Sequence, residues 1–386
     1  MNKDKKKIFR ITTVPGSLTT LLKGQLKYIS QYFEVVGVSS KGNKNQLEIL
    51  AKNEGVRTIN LEMTRKITPI KDLMAVTKLY KILKKEKPYI VHSHTPKAGT
   101  VGMIAAKLAK VPNRLHTVAG LPLVEAKGFK KKLLVYVDKL TYFCATKVYP
   151  NSFGLREIML NEKLAKKSKI EVIAKGSSNG IDTNHFDPKL YNQLQKKSLR
   201  DSLKIKENDF VFIFVGRLVK DKGINELVEA FDNLNKSFDN IKLILVGNYE
   251  KELDPLFSET TKLIEANTNI IETGWTNDVR PYFSISNVLA FPSYREGFPN
   301  VVMQASSMEL ACIVTDINGC NEIIKHNENG YIIPKKDTNS LYESMKSTLS
   351  NNGRLKEMGQ KSRKIILENY EQKNVWKAIL SEYKEL

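Results

Sequence analysis

Two cations and a carboxylate stand at the ends of apolar runs in the second half of the chain. In "VGRLVKDKG" (215–223), Arg217 and Lys222 follow the run "DFVFIFV" and precede the helix-like "INELVEAF". Arginine offers a planar fork to phosphate oxygens and lysine a movable point charge. A helix start beside them adds free N–H groups. With Gly216 in the turn, the set reads as a clamp for a diphosphate. In "SYREGFPNV" (293–301), Glu296 is unsuited to phosphate but suited to hydroxyl groups, such as those of a sugar. Gly297 lets a backbone approach a ligand closely. Pro299 is expected at the first helical position, with Phe298 as the cap. The first helical N–H groups, that of Asn300 among them, then face the same place as the two cations. Gln304, near the second helical turn, donates and accepts, as a ribose or sugar diol requires. Taken singly, Arg217 and Lys222 can also be read as solvated cations in a turn, and Glu296 as a helix cap.

The first half offers less specific chemistry. "TTVPGSLTTLLKGQL" (12–26) places Gly16 and Ser17 after the first strand-like run, where their amides could meet a donor phosphate. It is not G-x-G-x-x-G, and no G-x-x-x-x-G-K-[ST] occurs anywhere. His94 closes the triplet "HSH", and His116 follows in "RLHTV". Histidines two apart on a strand, without carboxylate or cysteine nearby, make poor metal ligands. A structural or cleft-lining role is expected for them, and no metal site. In "LPLVEAKGFKKKLLVYVDKLTYFCATK" (121–147), Lys130, Lys131 and Lys132 open an apolar helix. Such a helix either lies on an anionic membrane or buries its apolar side and solvates its lysines.

The elements that must position these residues alternate. Strand-like runs fall at 7–14, 33–40, 89–94, 114–118, 147–152 and 170–177, then at 209–218, 241–247, 269–275, 287–293, 312–316 and 330–334. Helical patterns separate many of them, and the runs are apolar on both faces, as in covered parallel sheets. The expected fold class is α/β: two doubly wound, Rossmann-like parallel-sheet domains facing a central cleft. The expected division is 1–178, a hinge over 179–204, a second domain over 205–368, and a C-terminal helix over 369–386 that returns to the first domain. Ligands of open α/β sheets bind beyond the carboxyl ends of the strands.

Composition narrows the partners. The chain has 386 residues, a net charge of +21 and three cysteines. Residues 1–200 hold 39 Lys+Arg against 14 Asp+Glu; residues 201–386 hold 23 against 27. The first half therefore suits an anionic partner: nucleic acid, a lipid surface or a phosphorylated substrate. Aromatic residues are not interleaved with the lysines, which speaks against nucleic acid. Three cysteines without a CxxC pattern fit a reduced compartment. No signal-peptide pattern opens the chain, and no run is long and apolar enough to span a membrane.

"VGRLVKDKGINELVEAF", "LILVG", "PSYREGFPNVVMQA" and "VTDINGCNEIIKHNENGYII", with "HSHTPKAGTVGMIAAKLAKVPNRLHTVAGLP" and "SSNGIDTNHF", resemble the retaining, GT-B-fold glycosyltransferases of family 4. Within that family the chain is similar to bacterial enzymes that build capsule, O-antigen and other lipid-linked surface glycans. The resemblance implies a nucleotide diphosphate sugar as donor and a polyprenyl-diphosphate-linked saccharide as acceptor. It implies an enzyme peripheral to the cytoplasmic face of the membrane, with no nucleic acid as partner. Arg217 and Lys222 would hold the diphosphate, Glu296 the sugar hydroxyls, and the amides of Asn300 and Gly16 the phosphate. Neither a metal nor another cofactor is required. His94, His116 and Lys130–Lys132 would lie on the acceptor side. The chain departs from the pattern at Gln304, where the family has a glutamate for the ribose, at Pro299, where glycine is common, and at Ala119, where a histidine is usual. Other GT-B activities, such as a nucleotide-sugar epimerase or a phosphorylase, a silent partner subunit, and a basic nucleic-acid- or membrane-binding non-enzyme are the alternatives.

Overall fold

The computed structural model describes residues 5–43, 45–64, 68–250, 252 and 254–386. The chain forms two compact units: Met1–Gly180 together with Gln372–Leu386, and Ile181–Glu371.

Unit 1 is a six-stranded parallel sheet of β1 (Lys7–Ile11), β2 (Glu34–Ser39), β3 (Arg57–Asn60), β4 (Ile90–His94), β5 (Asn113–Val118) and β6 (Lys147–Pro150). The spatial order is β3-β2-β1-β4-β5-β6. Helices Pro69–Glu86, Pro96–Leu108 and Gly128–Cys144 cover one face, with Leu79, Leu83, Val101 and Tyr142 in its core. The other face is covered partly by the helix Gln372–Glu385, which contributes Val375, Ile379 and Tyr383.

Unit 2 repeats the plan with β7 (Phe210–Val215), β8 (Ile241–Val246), β9 (Ile270–Gly274), β10 (Val288–Phe291), β11 (Ala311–Thr315) and β12 (Gly330–Ile333). Their order is β12-β11-β10-β7-β8-β9. In each sheet the order reverses between the first and fourth strands, β1 beside β4 and β7 beside β10. Reversal leaves a crevice at the carboxyl ends of those two strands. The segment after Gly180 belongs to unit 2 and carries the helix Gln193–Ser202, opened by an Asn192/Gln195 capping box.

Two expected elements differ. Residues 170–177 are not a strand: Ile170 makes a single bridge to Val148, and the chain then turns. The sixth strand is instead β3, paired along β2 from Val36↔Arg57 to Ser39↔Asn60. Its four residues are half-exposed or exposed, so they lack the apolar run that marks an inner strand. The helix after β10 starts one residue later than expected. Pro299 is its cap, with an extended ψ of 110°, and Asn300 is its first residue.

Candidate functional site at the β7/β10 switch point

After β7 the chain passes Gly216 and Arg217, makes a single 3₁₀ turn over Lys220–Lys222, and enters the helix Ile224–Asn235 through Gly223. Gly223 has φ +70°, and a Cβ there would lie 2.1 Å from the Pro292 carbonyl oxygen. Glycine is needed twice over, for the left-handed backbone and for the close approach of the two loops. The loop after β10 is tied to the same turn. The Tyr294 amide donates to the Asp221 carbonyl at 3.0 Å, and the Arg295 guanidinium pairs with the Asp221 carboxylate at 2.8 Å.

This packing brings Lys222 and Glu296 together. The Lys222 ammonium donates to Glu296 Oε1, which also accepts from the Ser293 hydroxyl at 2.9 Å. Both charged side chains are largely withdrawn from solvent, at 15% and 16% exposure. A pair so shielded is weakly screened and geometrically fixed. Arg217 lies at the same strand end but more openly, at 49% exposure, and its guanidinium pairs with Glu250 at 2.5 Å.

The helix Asn300–Ser307 begins beside Glu296. Its cap, Pro299, makes no side-chain hydrogen bond to the first turn. The first amides of the helix therefore have no partner within it. Gln304 is half-buried one turn beyond Asn300 on the same helix. Gly297 and Phe298 are buried, and the Phe298 ring packs 5.1 Å from that of Tyr370. The Phe298 side chain is thus part of the core, and its backbone is what it offers a ligand.

Asn318, which sequence reasoning passed over, holds this loop. Its amide donates to the carbonyl oxygens of Glu296 and Gly297. Gly319 follows with φ +78°, and a Cβ there would meet the Gly297 oxygen at 2.5 Å and the Phe298 Cα at 2.9 Å. The available signal was the dipeptide Asn318-Gly319 just after β11, a turn pair at a strand's carboxyl end. Unit 2 therefore gathers Gly216, Arg217, Lys222, Glu296, Gly297, Asn300 and Gln304 at the ends of β7 and β10. Among the described residues, no three His, Cys, Asp or Glu side chains are grouped to hold a metal ion.

The remaining candidates lie in unit 1. Gly16 and Ser17 occupy the first turn of the helix Pro15–Leu21, directly after β1. His94 ends β4, buried, with Arg10 Nε donating to its Nε2 at 3.2 Å. His92 stacks 4.3 Å from it and contacts the Tyr383 hydroxyl through Nδ1 at 2.5 Å. Burial, reinforced for His94 by neighbouring His92 and Arg10, holds both imidazoles well below their ordinary range. His116 is enclosed. Its Nδ1 lies 2.9 Å from the Ser93 hydroxyl and its ring stacks on Tyr142. A Cβ on Gly99 would fall 2.4 Å from the His116 ring, so the helix above leaves no open face of it for an acceptor. Burial lowers His116 to about 4. Lys130 and Lys132 are exposed on the helix Gly128–Cys144, and Lys131 pairs with Glu162 at 2.6 Å.

Residues 195–365 match the family model for glycosyl transferases group 1, and residues 15–152 match glycosyl transferase 4-like. The chain is 32% identical to the capsular polysaccharide biosynthesis glycosyltransferase CapM of Staphylococcus aureus, over 98% of this chain and 96% of that one. It is 31% identical to a UDP-Gal:alpha-D-GlcNAc-diphosphoundecaprenol alpha-1,3-galactosyltransferase of Escherichia coli, over 85% of each. Among solved structures it is similar to HepE of Anabaena in complex with UDP, with a TM-score of 0.81, 17% identity, and coverage of 99% of this chain and 100% of that one.

Proposed function

The chain belongs to the glycosyltransferases of the group 1 and 4-like families and has the GT-B fold, and from that premise we propose that it moves a sugar from a nucleotide diphosphate sugar to a lipid-linked saccharide in surface polysaccharide synthesis. The observation that carries this reading is the Lys222–Glu296 pair at the β7/β10 switch point, with Arg217 beside it. A donor exchanges partners with that pair. Its β-phosphate takes the Lys222 ammonium and its sugar hydroxyls take the Glu296 carboxylate. Arg217 turns from Glu250 to the diphosphate. Charge then builds on the departing β-phosphate where two cations already stand, which is electrostatic stabilisation of a leaving group.

The first amides of the helix Asn300–Ser307 receive phosphate oxygen, and Gln304 holds the ribose diol through neutral hydrogen bonds. The reaction retains anomeric configuration, the leaving phosphate oxygen taking the acceptor proton. Arg217 and Lys222 supply the positive charge that a divalent metal provides elsewhere, so no cofactor is required. The donor is a UDP-hexose or UDP-N-acetylhexosamine. Two relatives support the acceptor and donor classes: one of known activity uses UDP-galactose and a diphosphoundecaprenol acceptor, and another from Campylobacter jejuni acts on a diphospho-undecaprenol. Such an acceptor resides in a bilayer, so the enzyme works at the inner face of the membrane.

The test is thermal unfolding with UDP, GDP and ADP, each titrated at near-physiological salt. A nucleotide at about 100 times its dissociation constant adds ~2.7 kcal/mol of stability. A shift with UDP alone is expected. No shift with any of the three, combined with no transfer from UDP-sugars to a lipid-linked acceptor, would overturn the reading.

A further inference from the structure

The turn after β7 and the loop after β10 meet through two ion pairs made by consecutive residues. Asp221 pairs with Arg295 and its neighbour Lys222 pairs with Glu296, so the sign alternates from one rung to the next. The Arg295 guanidinium meets the Asp221 carboxylate with two nitrogens, Nη2 at 2.8 Å from Oδ2 and Nε at 3.3 Å from Oδ1. A planar fork against a carboxylate fixes orientation as well as distance. Both partners are held from behind. The Asp221 amide donates to Asp254 Oδ2 at 2.7 Å, and the Asp221 carbonyl accepts from the Tyr294 amide at 3.0 Å. Tyr294 is buried, and its hydroxyl donates to Glu226 Oε1 at 2.5 Å.

The two rungs differ once a donor binds. The Lys222–Glu296 rung is the one that a donor takes apart, phosphate to the cation and sugar hydroxyls to the carboxylate. A contact given up on binding cannot hold the loops while the site is occupied. The Asp221–Arg295 rung is one residue away on each side. Its arginine already spends its fork on a carboxylate, and that carboxylate is unsuited to phosphate. Without Arg295, the Asp221 charge would stand unmasked beside Lys222 and oppose a diphosphate there. At 38% and 19% exposure the pair adds little to global stability. Its effect therefore falls on register rather than on folding.

We propose that Asp221 and Arg295 are positioning residues: their pair keeps the turn and the loop in register while Lys222 and Glu296 part to take the donor. The proposal rests on the reading of a diphosphate donor at this switch point. Displacing a reacting group by about 1 Å costs on the order of a hundredfold in rate, so a lost rung shows in turnover before it shows in binding.

The first experiment is a crystal structure of the full chain with UDP. Lys222 should have left Glu296 for the β-phosphate, with the Asp221–Arg295 fork unbroken. An Arg295 that has moved onto phosphate overturns the proposal. The second experiment is the kinetics of Arg295→Gln, Arg295→Lys and the double variant Asp221→Asn with Arg295→Gln. The donors are a panel of UDP-hexoses and UDP-N-acetylhexosamines, and the acceptor is a saccharide-diphosphoundecaprenol. Arg295→Gln should lower kcat by about ten- to a hundredfold, with the donor KM and the unfolding shift produced by UDP near those of wild type. Arg295→Lys, which keeps the charge without the fork, should recover part of the loss. The double variant should be no slower than Arg295→Gln, because the two groups act as one unit. An unfolding temperature that falls while kcat stays unchanged would make the pair a structural contact only and overturn the proposal. A wild type that neither shifts with UDP nor transfers sugar would overturn the donor reading and this proposal together. A wild type that does both, beside variants of unaltered kcat, would overturn this proposal alone.

Discussion

The Lys222 ammonium is hydrogen-bonded to the Glu296 carboxylate across 74 residues of sequence, at the strand pair where the order of the second sheet reverses. Neither group needs the other for solubility, and both are largely withdrawn from water. The pair fixes each side chain at the β7/β10 strand ends, so a donor bound there as proposed would meet groups already oriented.

If Arg217 and Lys222 hold the diphosphate as proposed, replacing either by alanine should remove one of two charges on the leaving phosphate. The expected loss is on the order of 3–4 kcal/mol in barrier for each, as for a donor of an oxyanion hole. Lys222→Ala should also lower the unfolding temperature, because Glu296 is left without its cation. Single-turnover transfer from a UDP-sugar measures the first effect. Near-normal turnover in both variants would remove the diphosphate assignment.

Gln304→Glu tests the proposed ribose contact. A carboxylate accepts hydroxyl hydrogen bonds with charge assistance that an amide lacks. Titration calorimetry with UDP should show tighter binding, by about three- to tenfold. An unchanged dissociation constant would place Gln304 away from the nucleotide.

Glu86 links β1 to β3 by pairing with Arg57 and Lys7, each at 2.7 Å. Hydrogen bonds from Arg57 and then Lys7 hold its carboxyl down to about 2. A depressed carboxylate stabilises fully above its unfolded value, near 4.5, and loses that contribution as pH falls towards about 2. Arg57 is half-exposed, so solvent limits the gain to about 1 kcal/mol. Glu86→Gln should therefore lower the unfolding temperature at neutral pH and converge with wild type in acid. A difference that persists at the acid end would contradict the assignment.

His92, His94 and His116 are buried as neutral rings, His116 with a value of about 4. The unfolded chain binds protons below about 6.5 that the folded chain refuses, so stability must fall as pH drops from 6.5 towards 4. His116→Phe should remove part of that slope, on the order of 1–3 kcal/mol by the acid end. Denaturant unfolding of both proteins across this range gives the slopes directly. Parallel slopes would mean that His116 is protonated in the fold.

Eleven of the twelve strands among the described residues were legible, most of them because they carry a run of Val, Ile, Leu or Phe that a covered sheet tolerates. β3 was not, since "RTIN" at a sheet edge is half polar and four residues long. The stretch from Ile170 has the apolar content of a strand, but it makes one bridge and turns away. Arg217, Lys222 and Glu296 stood out as charges at strand ends. Their pairing, with Glu250 and with each other, is a product of strand order and could not be read from spacing. Asn318 was overlooked because its amide serves two backbone carbonyls of another loop, and a backbone acceptor leaves no mark on the sequence. His116 looked available until the small size of Gly99 was seen to let a helix close over it.

The helix Gln372–Glu385 carries a consequence for how the chain is made. Unit 2 is a single uninterrupted stretch, whereas unit 1 is finished by a segment synthesised after all of unit 2. Val375, Ile379 and Tyr383 cover part of one face of the first sheet, and Tyr383 reaches His92 in its interior. During synthesis the part of that face beneath this helix stays open, beside the early helices that carry Leu18, Leu26 and Leu50, while some two hundred later residues emerge and fold. The domain translated first is thus the last to be completed, reversing the usual N-terminal-first order. Its early sheet must wait, one apolar face incompletely covered, for its final helix.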